Sequence, residues 1–459
     1  MGGSREGAGA LGGEPELTAQ GKPVPPHWRT LVGAVWCGQA FSILTSFAAN
    51  YAVVWWLTES TGSATLLTFM TAMMYLPMAL LGLFAGTIVD RFPRRAVMIS
   101  ADLAAAAFAL FMALMIMAGH LSVGLIVAMM LARSTFQAFH SPAMQALMPC
   151  LVPDRHLVRV ASLGQGIQSI ANIAGPALGI LLYTTFGLQA ALLLDVGGAL
   201  LACAGLLFVR GVDDGHMREA QRTNVLAEMR DGLRAVRGVR GLGSAFAWIL
   251  AGYLFFAPMA SLFPLMTYSH FGGDGFQASL VEAVWGIGAF VGTALLAVWG
   301  GGRRLMLLVI ISMAGLGAFT LVEGLLPPGA FVVFVVLMAP EAIVAALYST
   351  PLMALIQRLI EPHVLGRVMS LYLAGSSIVA PIALLISGPL ADAWGVATWF
   401  AVCGAGMLIV GVGMWLTPSV RGLDREVARR AEQATAAAGT GGASVTAETV
   451  GAGGSHGRA

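Results

Sequence analysis

The chain has 459 residues, of which 58% are hydrophobic and 10% charged, with a formal net charge of +2 at pH 7. Soluble domains run at roughly 45–50% apolar and about 25% charged, so this composition argues against a soluble enzyme and for a polytopic membrane protein. The near-neutral balance leaves no electrostatic footprint for nucleic acid, and the 58 Gly suit membrane helices, where glycine is more frequent than in soluble ones.

Residues 1–29 are Gly-rich and polar, with no apolar run from which a cleaved signal peptide could be made, and are read as a disordered cytoplasmic tail. From Thr30 to Thr417 the chain alternates apolar segments of about 18–27 residues, long enough to span as helices, with short turns rich in Gly, Pro, Asp or Arg. The spans are expected near 31–57, 64–89, 96–118, 122–148, 160–185, 188–210, 242–268, 278–299, 305–325, 330–356, 367–390 and 395–417. The expected fold is an all-α membrane protein with twelve transmembrane helices in two pseudo-symmetric six-helix halves, 30–210 and 241–417. Between them, 211–240 places Val225, Leu226, Met229, Leu233 and Val236 on one helical face and Arg222, Arg230, Arg234 and Arg237 elsewhere, the pattern of an amphipathic helix on a membrane surface. Beyond Pro418, a charged run passes into Ala/Gly/Thr/Ser sequence, so 418–459 is read as a mostly disordered cytoplasmic tail. Cys37, Cys150, Cys203 and Cys403 lack metal-site spacing and are read as small core residues; no metal or cofactor is expected.

Orientation follows from the basic residues, which insertion retains on the cytoplasmic side. With these spans, every Lys and Arg except Arg133 falls in a tail or turn on the side of the termini, and none in the opposite turns. Both termini are therefore expected in the cytoplasm. The Trp residues mark the same interfaces: Trp55, Trp56, Trp394 and Trp399 at the outer ends of spans, and Trp28, Trp299 and Trp415 at the inner ends, as belt anchors.

The second half repeats the first at an offset of 209. Arg94 and Arg95 fall on Arg303 and Arg304, Pro142 on Pro351, Pro153 on Pro362, Gly166 on Gly375 and Gly179 on Gly388. Parallel six-helix repeats with a substrate site between them are the architecture of a large class of secondary transporters.

Particular motifs sharpen this. Gly86-Thr-Ile-Val-Asp90-Arg91-Phe-Pro-Arg94-Arg95 resembles the G-x-L-a-D-r-x-G-r-R signature between helices 2 and 3 of the major facilitator superfamily, with Pro93 in place of the usual Gly. Arg133-Ser-Thr-Phe-Gln137-Ala138 resembles the helix 4 pattern R-x-x-q-G, with Ala replacing Gly. Gly175-Pro176-Ala-Leu-Gly179 resembles the G-P-x-x-G-G pattern of exporters, with the last Gly lost. Val54-Trp55-Trp56-Leu57-Thr58, Thr61-Gly62-Ser63-Ala64 and Phe139-His-Ser141-Pro142-Ala143 resemble the branch holding macrolide-efflux and enterobactin-export proteins. The resemblance implies that Gly86, Asp90, Arg91, Arg94 and Arg95 form a latch between the halves on the cytoplasmic side, and that helices 1, 4, 7 and 10 line a central cavity. Physically, the same turn needs only a reversal and headgroup-binding charge, and Gly175-Pro176 needs only close helix packing.

Charges inside spans are expensive unless paired or wet. Asp102, Arg133, Asp195, Glu282 and Glu341 are such charges; Asp102 and Asp195 are read as more structural, while Arg133 and Glu341 are quasi-symmetric, one per half. Glu341 is therefore the leading proton carrier, its attraction to Arg133 changing as it neutralises, with Glu282 and Asp102 as reserves. By resemblance, Asn50, Tyr51, Gln137, Tyr253, Phe256 and Tyr348 are the substrate-cavity candidates. The reading is a monomeric, proton-coupled exporter (antiporter) of an amphipathic, macrolide-type molecule in a bacterial inner membrane. A siderophore exporter or a nutrient importer of the same fold is the alternative. Its partners are small-molecule substrate, protons and the bilayer, with no nucleic acid. No H-E-x-x-H, P-loop or intramembrane aspartyl pair supports an enzyme.

Overall fold

The computed structural model describes residues 17–18, 23–89, 91–209, 225–302, 304–430 and 432, and among these twelve helices are long and apolar enough to cross a membrane. The first six spans are α1 (Trp28–Thr61), α2 (Ala64–Val89), α3 (Arg94–Met117), α4 (Val123–Leu151), α5 (Asp154–Phe186) and α6 (Leu188–Leu207). After the shorter α7 (Val225–Gly238) come α8 (Leu242–Leu265), α9 (Gly275–Trp299), α10 (Leu305–Leu325), α11 (Phe331–Leu359), α12 (Pro362–Trp394) and α13 (Val396–Leu416). One turn, α14 (Pro418–Arg421), and helical residues 423–430 follow. Helix is forced where no water is present to satisfy the backbone, and this also lets interior prolines such as Pro77, Pro176 and Pro340 be tolerated.

The repeat survives in three dimensions as matched helix starts. α4 and α11 begin at 123 and 331, α5 and α12 at 154 and 362, and α6 and α13 at 188 and 396. Several helices outrun their apolar cores; α5 starts at Asp154 rather than near 160, because an acidic first residue favours the helix N-terminus. Ends are fixed locally. Asp274 and Gln277 form a reciprocal capping box on α9, and Gly300 closes the same helix with φ of 73°, a left-handed conformation that glycine adopts without a Cβ penalty.

Two compact units emerge, described here separately. The first comprises 1–49, 84–175 and 188–221. Its core gathers Val35, Met98, Leu147, Leu151 and Leu206. Here α1 and α6 close up at glycines: a Cβ on Gly38 would lie 2.7 Å from the Leu201 carbonyl oxygen, and one on Gly205 2.5 Å from that of Ala34. Small residues at such crossings are how membrane helices pack.

The second unit comprises 50–83, 176–187 and 222–459. It is held by α9 against α11 through Gly288 and Gly292, and by α10 against α13 through Gly317, Gly324, Gly404 and Gly411. α7 packs along α12, with a Cβ on Gly232 only 2.8 Å from the Arg367 carbonyl oxygen. Val236 is buried and Met229 half-buried, but Leu233 is exposed; the side chains of Val225 and Leu226 lie outside the description.

Three expectations need correction or fall outside. Cys37 is exposed, not core, whereas Cys150, Cys203 and Cys403 are buried. Trp55 and Trp399 are 1% and 6% exposed and pack inward instead of anchoring an interface, while Trp299, Trp394 and Trp415 are exposed as a belt requires. Asp90, Arg303, Arg222 and most of the two tails lie outside the described residues.

Candidate functional site

In the first unit, Arg133 of α4 is 7% exposed and paired with Asp195 of α6, Nη1 to Oδ2 at 2.5 Å. Ser46 of α1 closes the ring. Arg133 Nη2 donates to Ser46 Oγ at 2.8 Å, and Ser46 Oγ donates to Asp195 Oδ1 at 2.8 Å. The sequence reading set Glu341 to answer Arg133; the carboxylate in place is Asp195, brought within reach because α6 packs so closely on α1. Beside this ring, Asp102 accepts a hydrogen bond from Gln39 Nε2 at 3.0 Å and faces His140 Nε2 at 3.4 Å. Gln137 is exposed on the same helix as Arg133.

In the second unit, Glu341 of α11 has no exposed surface. Thr320 Oγ1 of α10 donates to its Oε1 at 2.6 Å, and the carboxyl of Glu323, equally buried, meets it from the same helix. The oxygens of Glu323 and Glu341 Oε2 find no donor among the described residues. Two carboxyl oxygens are both acceptors, and bond only through a proton carried by one of them. Among the described contacts this acid pair meets no cation. Glu323 was missed in sequence because it lies near the end of its apolar run, next to the turn, where an acidic residue passes as loop polarity. Glu341 thus sits level with the last two turns of α10, closer to that end of the unit than its place along span 10 suggested.

The aromatic candidates come together with two that sequence did not single out. Glu282 of α9 is within electrostatic reach of Tyr51, and Tyr51 of Tyr75. Tyr75 and Tyr372 both reach Tyr253, and Tyr372 reaches Tyr348. Tyr253 and Phe256 have ring centroids 6.3 Å apart, and Phe246 lies 6.0 Å from Tyr372. Tyr51, Tyr253, Tyr348, Phe256 and Glu282 are all half-buried. Asn50, also half-buried, keeps its Oδ1 without a donor.

At the turn side opposite the C-terminus, the second unit is tied across helices from both halves of the sequence. Asp392 of α12 accepts from Ser63 Oγ at 2.9 Å and from the backbone amides of Ala64 and Thr65 at 2.6 and 3.0 Å, thereby capping α2. Tyr183 Oη donates to Glu59 Oε2 at 2.6 Å, Ser261 Oγ bonds Thr71 Oγ1 at 3.0 Å, and Tyr268 stands edge-on to Trp55 at 6.0 Å. Gly388 packs on Thr65 and Thr68, where a Cβ would collide.

Of the turn motif, Arg94 Nη1 donates to the Ala146 carbonyl at 3.0 Å and contacts Cys150 Sγ at 2.8 Å, so it clamps α3 to α4. Arg91 is exposed and Arg95 half-buried. Gly175 abuts Phe47 of α1, and Pro176 and Gly179 follow inside α5. Among the described residues, no group of three or more His, Cys, Asp or Glu side chains could hold a metal.

Twelve apolar helices in two repeated halves, carrying buried charges on facing helices, define a secondary-transporter build. The chain belongs to the major facilitator superfamily: the profile described as Major Facilitator Superfamily matches residues 35–338 and 259–447. It is 34% identical over 401 residues to Macrolide efflux protein A of Streptococcus pyogenes, covering 87% of this chain and 98% of that protein. It is 28% identical over 395 residues to Multidrug efflux pump Tap of Mycobacterium tuberculosis, covering 81% and 89%. Its fold resembles the crystal structures of nucleoside transporter NupG (TM-score 0.61, 11% identity, 84% of this chain and 98% of that one) and of a D-xylose-proton symporter (0.60, 16%, 86% and 98%). The protein is thus a multi-pass membrane transporter with homology to macrolide and multidrug efflux proteins, and it stands with transporters, not enzymes.

Proposed function

We propose that the chain is a proton-coupled exporter of an amphipathic, macrolide-type small molecule, working by alternating access in a bacterial inner membrane with both termini in the cytoplasm. The observation that carries the reading is the buried Glu323–Glu341 contact. A carboxyl pair with no cation at hand takes up one proton readily and gives it up when water or a cationic substrate arrives. The half-buried tyrosines and Glu282 supply what an amphipathic cation needs: ring faces for its apolar body and a carboxylate for its charge. The names of the relatives support efflux as the direction and resistance to macrolides as the phenotype.

Exchange between proton and substrate explains why both binding groups belong to one unit. Protonation of Glu341 loosens its demand for donors, and substrate binding restores one. The turn motif around Asp90 then latches the cytoplasmic side in one conformation and releases in the other, while the Asp392 cap holds the opposite side closed.

Flux into inverted vesicles with an imposed pH gradient tests the proposal. Glu341→Gln imitates the permanently neutral form, so gradient-driven macrolide accumulation is lost while substrate-for-substrate exchange survives. Accumulation at the parent rate in both Glu341→Gln and Glu323→Gln removes the pair as carrier. Resistance of an efflux-deficient host to macrolides, measured against siderophore release into its medium, separates the two exporter readings.

A further inference from the structure

At the end of the second unit that carries the C-terminus, α10, α13 and the segment after α14 enclose a pocket of about 260 Å³. Three guanidiniums from separate stretches of chain line it: Arg304 ahead of α10, Arg421 at the end of α14 and Arg425 a turn further on. Its apolar wall is Leu307, Ile310 and Trp415, and the carboxylate of Asp424 completes the lining. The carboxylates nearby are already committed. Asp424 accepts from the amides of Met306 and Leu307 at 2.8 and 3.1 Å, capping α10. Burial pushes its carboxyl above the usual carboxylate range, against the opposing pull of those amides and of Arg304. Glu426, one residue past Arg425, is taken by Arg430 and Arg429, which hold its carboxyl below the usual range. The Arg421 guanidinium lies 5.3 Å from the centroid of the Trp415 ring, and Arg304 stands within electrostatic reach of Asp424.

Retention of basic residues on one side of the membrane explains that arginines occur here. It does not explain why three of them converge on one concavity with an apolar wall. We propose that this pocket binds the phosphodiester of an anionic phospholipid, with Arg304, Arg421 and Arg425 on the phosphate oxygens and the glycerol and upper acyl chain along Ile310 and Trp415. The volume falls below the roughly 300–1,000 Å³ of sites for drug-sized ligands, so a second substrate site is a poor fit. Trp415 is 46% exposed and its neighbour Leu416 69%, which puts the apolar wall in continuity with the lipid-facing surface at the depth where Trp side chains gather. Guanidinium forks match phosphate oxygens in pairs. A lipid held there joins the tail after α14 to the start of α10, adding to the hydrogen bonds of Asp424.

The test uses the full chain purified in a neutral detergent, with phosphatidylglycerol, phosphatidylcholine of the same acyl chains, or inorganic phosphate added at equal concentration. Native mass spectrometry reads lipid retention, and thermal unfolding reads stabilisation. The parent is expected to retain and be stabilised by phosphatidylglycerol over the other two. Arg304→Gln, Arg421→Gln and Arg425→Gln, each made singly so that one folded variant suffices, are expected to weaken phosphatidylglycerol retention about fivefold apiece. Arg429→Gln, whose side chain points to Glu426 and not into the pocket, is the control and keeps parent retention. Parent-level retention in the three pocket variants overturns the site. Equal effects of phosphatidylcholine and phosphatidylglycerol overturn the charge recognition, and inorganic phosphate matching the lipid overturns the assignment to a lipid.

Discussion

Replacing Asp392 by Ala removes three hydrogen bonds that hold the start of α2 to the end of α12. Two of these bonds end on backbone amides of the first turn of α2, so Asp392 acts as an N-cap supplied by a distant helix. An N-cap side chain contributes about 1 kcal/mol, within a range of roughly 0.5–2. Asp392 is exposed, so water competes for it and the lower half of that range applies. If the cap exists only while this side is closed, its loss shifts the closed-to-open ratio by a factor of about two to eight. Spin labels at Ser60 and Ala393, in a background with the four cysteines replaced, report the separation of the two helix ends by pulsed electron resonance. The long-distance population should rise severalfold in Asp392→Ala and less in Asp392→Asn, which keeps one acceptor oxygen. Ser63→Ala, losing one hydroxyl donor, should move it least. Identical distance distributions in Asp392→Ala and the parent would refute the cap as a closing device.

Other expectations follow from named contacts. Arg133→Ala leaves Asp195 buried without its cation, which should destabilise the fold by roughly 3–5 kcal/mol; adding Asp195→Asn should recover much of that in a thermal unfolding assay, and failure of the double variant to recover would mean that Arg133 acts through something else. A single Cys in the 272–275 turn of a cysteine-free chain should react with an impermeant maleimide from outside the cell, and one at 225 should not; the reverse pattern would invert the proposed topology. Asp90→Asn should lower transport with surface level near the parent's, since one carboxylate at a wet interface adds little stability, and Trp299→Ala, at the equivalent place in the second half, should do less. Equal transport by Asp90→Asn and the parent would reduce that turn to a topogenic signal.

The fold was legible because a membrane leaves the chain few choices. Apolar run length sets the helices, and the 209-residue offset carried by Pro142 with Pro351 and Pro153 with Pro362 fixes a repeat that the helix starts, 208 apart, follow to within one residue. The site was legible only in part. Arg133 and Glu341 stand out in sequence as charges in apolar runs, but their partners depend on helix rotation and close approach, which no pattern along the chain encodes. Gly38 and Gly205 decide that Asp195 reaches Arg133, and they look like any other glycines in a Gly-rich chain. Tyr75 and Glu323 were passed over for related reasons. A tyrosine set beside other tyrosines by helix rotation has the same neighbours in sequence as one facing lipid, and an acid near a turn has the same neighbours as one in a loop. Trp55 shows the converse error, since its place at a span end suggested an interface anchor while Ile180, Ala278 and Tyr268 bury it.

The two quasi-symmetric charged positions have solved the cost of burial in opposite ways, and the difference bears on where a proton can move. Arg133 is neutralised within its own unit by the carboxylate of Asp195, and Ser46 ties the two together by donating to Asp195 and accepting from Arg133. Removing either partner of such a closed pair would leave the other charge buried and uncompensated. Glu341 has taken the other course. Its neighbours are a hydroxyl, which can donate or accept, and a second acid. The Thr320 hydroxyl can turn to serve either the neutral or the ionised carboxyl. Under the proposed coupling, proton exchange falls to the acid pair of the second half, and the ion pair of the first half acts as a brace. It follows that exchanging Arg133 and Asp195 for a neutral, well-packed pair should leave the pH dependence of transport intact, whereas exchanging Glu323 and Glu341 for Gln should abolish it.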